Sequence, residues 1–173
     1  MALTADGAIS TGRLVDLTHP ETTPMRDTPS ELWGVTFAFG GNMAFTRSTF
    51  DRVGPFEEEL TVVSEWNFSR RAGLLGIPVV GVPDAIVRYR QPHGVVGAFR
   101  RQFGRDLGAV KLHRFLGPGV LPSRPASQWR HDWRGITALR HDRGPDTLRQ
   151  VGVRLGAMGG RAWGNLRYRQ SFW

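Results

Sequence analysis

The order of elements in this sequence predicts an α/β fold: a mixed sheet with flanking helices, followed by basic amphipathic C-terminal helices. Three observations carry that expectation. A helix signal at 64–75 runs straight into a short apolar run, Ile77-Pro-Val-Val-Gly-Val82. Apolar residues recur at three-to-four spacing from 95 to 115, and a second such stripe runs from Leu148 to Leu166.

Taken in order, residues 1–30 are rich in Thr, Pro and Asp and read as an irregular segment, with Gly12-Arg-Leu-Val-Asp-Leu17 as its one strand candidate. From 32 to 45 aromatic and small residues surround Gly40-Gly41-Asn42, a loop or strand edge where two glycines permit backbone angles or close approaches that a side chain forbids. The spacing predicts a short helix over 48–53, stopped by Gly54-Pro55. Glu57, Glu58 and Glu59 then make an acidic turn. Ser64 is a plausible N-cap for a three-turn helix that carries Trp66, Phe68, Ala72 and Leu75 and ends at Gly76. After it, 77–82 and 85–87 read as one strand, or as two joined by a turn at Pro83-Asp84.

In the second half, Val96, Phe99, Phe103, Leu107 and Val110 define the apolar face of a helix whose other sides carry Arg100, Arg101, Arg105 and Lys111. Residues 117–146 read as a linker containing Pro, Gly and Trp that need not be compact. A last helix passes through Leu148, Val151, Leu155, Met158, Ala162 and Leu166. Its glycines, each worth up to about 1 kcal/mol against alanine, imply that it forms only on a partner surface. The expected organisation is thus 1–30, 31–116, 117–146 and 147–173.

The chain has 173 residues, 40% of them hydrophobic, enough for one core. It contains no cysteine, which excludes disulfides, thiolate metal sites and a cysteine nucleophile. Its N-terminus reads as no secretory signal, and no stretch approaches the roughly 20 apolar residues of a membrane span, so a cytoplasmic setting is expected. The net charge of +8 is divided: up to Asp84, 6 arginines stand against 11 acids, and from Ala85 onward 17 basic residues stand against 4 acids. All but one of the 23 basic residues are arginine, a skew that a GC-rich coding sequence also produces. Such basic helices suit an anionic membrane surface or a solvated arginine face. Nucleic acid is the weaker partner, because the aromatics do not interleave with the arginines.

Four blocks then stand in order: Phe39-Gly-Gly-Asn-Met-Ala-Phe45, Phe50-Asp-Arg-Val-Gly-Pro-Phe56, Ser64-Glu-Trp-Asn-Phe-Ser69 with Gly76, and Val82-Pro-Asp-Ala-Ile-Val87. Together they resemble consecutive blocks of the family 2 glycosyltransferases of GT-A type, on the acceptor-side, C-terminal portion. The resemblance implies a partial GT-A-like sheet and a parent activity of inverting sugar transfer from a nucleotide-sugar to a saccharide or lipid-linked acceptor. It implies that Gly40, Gly41, Asn42 and Met43 line the acceptor side, with Trp66 and Asn67 beside them, and that an acidic pair supplies the base. Aligned without a gap, Glu65 stands at the base and Asn67 replaces the second acid. With a one-residue gap, Glu65 falls on the preceding glutamate and no base remains. The ungapped reading also keeps Phe68, Arg71, Gly76 and Pro83-Asp84 in register.

The family often has a histidine after the fourth block, where this sequence has Tyr89, with His93 in another register. Nothing before Phe39 matches the nucleotide-binding half or its Asp-x-Asp motif, so no cofactor is expected in this chain; Mn or Mg belongs to a complete family member. A rival reading is a non-catalytic module that binds a glycan, a membrane surface or a complementing chain, or that self-associates. Trp33 and Trp66 are candidates for stacking on a sugar ring, beside the commoner role of core or rim residues, and Asp84 reads as a turn residue.

Overall fold

The computed structural model describes residues 7–17, 29–90, 94–122, 127–139 and 145–170. His93 lies outside the described residues, as do residues 1–6 and 18–28 of the N-terminal segment. The fold is mixed α/β, and the chain divides into two compact units, 1–91 and 92–173.

The first unit centres on a three-stranded mixed sheet in the order β4-β1-β5. Strand β1 (Ile9–Asp16) runs antiparallel to β4 (Met43–Phe45) and parallel to β5 (Val79–Tyr89). The strand candidate near Gly12 is therefore the middle of the sheet. The β1–β5 register slips between Gly12, opposite Val82, and Arg13, opposite Ile86, so that Pro83-Asp84-Ala85 bulges out of a single strand. A separate hairpin joins β2 (Ser30–Leu32) to β3 (Val35–Phe37). Its two central residues, Trp33 and Gly34, both have positive φ (56° and 72°), as a tight hairpin of matching twist requires.

Helix α1 (Arg47–Val53) is capped by Thr46, whose Oγ1 accepts from the Thr49 N–H at 3.1 Å, and stops at Gly54 (φ 85°) as expected. Arg71, from α2 (Ser64–Leu74), clasps that end by donating to the Val53 and Pro55 carbonyls. The expected N-cap of α2 is corrected. Ser64 is already helical, the capping position is Val63, and no side chain caps this helix. Gly76 (φ 73°) does end it. The core beneath the sheet is aromatic: Phe68 is fully buried, with ring centroids at 4.5 Å from Phe56, 4.9 Å from Phe45 and 6.3 Å from Phe50.

The second unit is helical. Helix α3 (Gly94–Leu116) packs on α5 (Pro145–Tyr168), and α4 (Ser127–Ala138) packs on α5 as well. Much of the stretch expected to be loose is therefore a helix, because Asp132 there has a buried ionic partner.

The expected apolar faces also need correction. On α3, Val110 of the expected face is buried and Phe99, Phe103 and Leu107 are half-buried, but Val96 is exposed, and Ala98, Asp106, Ala109 and Leu112 are buried as well. On α5 the buried face is made by Gly152, Gly156, Gly160 and Gly164, and the leucine stripe points outward. A Cβ added at Gly152 would come within 2.5 Å of the Val95 carbonyl oxygen, and one at Gly164 within 2.9 Å of the Val110 Cβ. Those at Gly156 and Gly160 would drive into the Phe99 and Phe103 carbonyls. The glycines that weaken α5 as an isolated helix are what let α3 approach it.

Candidate functional site

Residues 39–42 form a tight turn at the end of the sheet. The Asn42 N–H donates to the Phe39 carbonyl at 2.9 Å, while Gly12 N–H and Thr11 Oγ1 both donate to the Asn42 carbonyl, at 3.1 Å and 3.2 Å. Thr11 Oγ1 in turn accepts from the Phe39 N–H at 3.3 Å. The central strand thus pins both ends of the turn. Gly40 and Gly41 are exposed and neither takes a positive φ, so of the two uses open to these glycines the left-handed backbone is not the one made here. What the glycines provide is a bare surface. A Cβ at Gly40 would lie 3.5 Å from the Glu65 Cβ and 3.7 Å from its carboxyl carbon, which puts the half-buried Glu65 side chain directly over the turn.

Asn42 has a second task. Its Nδ2 donates to the Arg13 carbonyl at 3.0 Å and to the Ala85 carbonyl at 2.8 Å, satisfying two backbone acceptors that the register slip leaves without a ladder partner. Both of its amide hydrogens are used in this way. Gly12 is obligatory at the same place, because a Cβ there would collide with the Ala85 carbonyl and with the Asn42 amide. Thr11 and Gly12 are residues the sequence did not single out as part of this site. Their only signal was that the strand candidate begins with a small residue.

Of the remaining candidates, Met43 is half-buried and packs on the first unit's core. Trp66 is 3% exposed, its Nε1 donates to the Leu32 carbonyl at 3.1 Å, and its ring meets Trp33 edge-on at 5.6 Å. Asn67 is buried on the same side of α2, its Oδ1 without a hydrogen-bond partner among the described residues. The structure therefore brings Gly40, Gly41, Asn42 and Glu65 together and turns Met43, Trp66 and Asn67 toward the interior. Tyr89 closes β5, where its carbonyl accepts from the Leu17 N–H at 3.0 Å, and Asp84 is exposed in the bulge. A half-buried carboxylate over a bare, backbone-pinned turn can accept a hydrogen bond, and then a proton, from a hydroxyl laid across the glycines. Among the described residues no three His, Asp or Glu gather closely enough to hold a metal ion.

The second unit holds a different polar cluster. Arg161, 1% exposed, donates through Nη1 to Asp106 Oδ1 at 2.9 Å and through Nη2 to Asp132 Oδ2. Gln102 Nε2 donates to Asp106 Oδ2 at 2.6 Å, and the Arg161 guanidinium stands 5.8 Å from the Trp129 ring centre. This network floors a cleft of about 450 Å³ with Arg149 and Arg154 on its walls. Each carboxylate is the only acid of its helix, a signal in a basic unit that each needs a specific cation. The buried ion pairs stitch α3, α4 and α5 together.

Comparison with family models, curated proteins and solved structures finds no match for this chain.

Proposed function

We propose that this chain is the acceptor-side half of a GT-A-type family 2 glycosyltransferase, with Glu65 as the base toward the acceptor hydroxyl. One observation supports the reading above others: the Glu65 carboxyl carbon lies within 3.7 Å of where a Gly40 side chain would begin, so two separate sequence blocks meet at one surface. A saccharide hydroxyl over Gly40-Gly41 would donate to the carboxylate and lose its proton as its oxygen attacks the anomeric carbon of a donor sugar, the diphosphate leaving from the opposite face. Mn or Mg would serve that diphosphate in the donor half. The Asn67 position also accords with this reading. A second carboxylate there would be buried without a partner, which an amide tolerates at lower cost.

A second reading, a non-catalytic remnant or accessory module whose partner is a membrane surface or another chain rather than a glycan, is favoured by a different observation. Asn42 spends its amide on the Arg13 and Ala85 carbonyls, and Trp66 and Asn67 are buried, so fewer side chains are left to grip a sugar.

Amide NMR of the full chain separates these outcomes. Titration with short oligosaccharides is expected to shift the Gly40 and Gly41 resonances, and Glu65→Gln to weaken that binding roughly tenfold, as loss of a charge-assisted hydrogen bond does. UDP-, GDP- and dTDP-sugars with manganese are expected to leave the spectrum unchanged. Micromolar nucleotide-sugar binding would overturn the half-enzyme reading, and saccharides that leave Gly40 and Gly41 unmoved would remove the acceptor site. Sugar transfer on addition of a donor-binding half decides for the enzyme over the module.

A further inference from the structure

The outward face of α5 has no described partner, and its composition is unlike that of a solvated helix. Leu148, Leu155 and Leu166 are 47%, 40% and 72% exposed, and Ala162 is exposed between them. With Val151 and Met158 they form a stripe about 27 Å long at 1.5 Å rise per residue, and no charged residue interrupts it. The stripe continues onto α3 beyond Gly159, where the stacked Phe99 and Phe103 rings pass 3.8 Å and 3.4 Å from the position a Gly159 Cβ would take. Exposed cations share the two helices: Arg100 and Arg114 on α3, and Arg167 and Arg169 at the end of α5. Trp163 is half exposed nearby. Among the described residues no helix is long and apolar enough to cross a membrane.

We infer that the second unit docks on an anionic lipid surface, laying the Leu148–Leu166 face and the Phe99/Phe103 pair into the boundary between headgroups and acyl chains while the exposed arginines meet the headgroup phosphates. Charge selects this occupant. The unit carries 15 basic residues against 4 acids, so a second copy applied to the same face would set two strongly positive surfaces against each other. Nucleic acid would engage the arginines but leave the leucines in water. An anionic bilayer satisfies both halves of the pattern, and it does so independently of the glycosyltransferase reading.

Co-sedimentation of the full chain with vesicles tests the inference. Phosphatidylcholine vesicles containing about one third phosphatidylserine are expected to bind it at least roughly tenfold better than phosphatidylcholine alone, with the advantage shrinking as salt rises. The exposed pair Leu155→Glu/Leu166→Glu is expected to lower binding at least roughly tenfold with unchanged helix content by circular dichroism. Arg100→Gln/Arg114→Gln is expected to lower it less and to flatten the salt dependence. The inference is overturned if the wild-type chain stays in the supernatant, or if the leucine variant binds as well as wild type. It is equally overturned if that variant's only effect is to abolish a concentration-dependent dimer, or to lower the melting of the first unit.

Discussion

The two units hold their elements together by opposite means. In the first, volume does it: four phenylalanine rings gather at Phe68, and the sheet and helices close over them. In the second, the absence of volume does it. Four glycines one turn apart let α5 seat against α3, three of them on its carbonyls and Gly164 on the Val110 side chain, and the buried charge of Arg161 ties in α4. The apolar residues displaced from that seam face outward. Counting hydrophobic residues along a helix therefore locates the core from α2, where Trp66, Phe68 and Ala72 are buried, and points to the exterior from α5.

That contrast can be broken from either side. Phe68→Ala removes a fully buried ring with three aromatic neighbours and should destabilise the first unit by about 3–5 kcal/mol. Denaturant melts followed by far-UV circular dichroism should show the helical transition of the second unit unmoved. Arg161→Leu removes the buried cation that Asp106 and Asp132 share and should cost the second unit about 3–4 kcal/mol. Replacing Asp106 and Asp132 by leucine as well should restore most of that loss; a single variant as stable as wild type would mean that the network is incidental. The smallest and sharpest test is a sign. By helix propensity alone both Gly160→Ala and Gly104→Ala should gain up to about 1 kcal/mol. Gly104 has open space around it and should show that gain, whereas Gly160 faces the Phe103 carbonyl and should lose about 1–3 kcal/mol. Equal shifts in thermal midpoint would show that the seam is not glycine-dependent.

What the sequence disclosed was whatever is local. The Gly54 stop, the end of α2 at Gly76, the run of β5 and the extents of α3 and α5 all follow from caps and periodicity, which act over a few residues. The Ser64 cap failed because a serine before an apolar run is only a candidate until the backbone fixes which residue leads the helix. Of the candidate residues, Glu65 does stand against Gly40, a closeness that the resemblance implied and that no spacing within the sequence showed. The site was illegible at Gly12, Thr11 and Ala85, because the bulge that requires them is set by the pairing of strands some seventy residues apart. The inward turn of Trp66 and Asn67 is likewise decided by the β2–β3 hairpin and the sheet, and the buried arginine of α5 by two acids on other helices.

The glycine seam makes the outer surface of α5 conditional. A segment with five glycines between 152 and 164 has little reason to be helical in isolation, so its leucines line up only while the inner face is zipped onto α3. Presentation and docking are then one equilibrium. Any partner that holds the outer stripe raises the stability of the seam on the far side of the helix by mass action, without touching it. Loosening the seam withdraws the stripe from every partner at once.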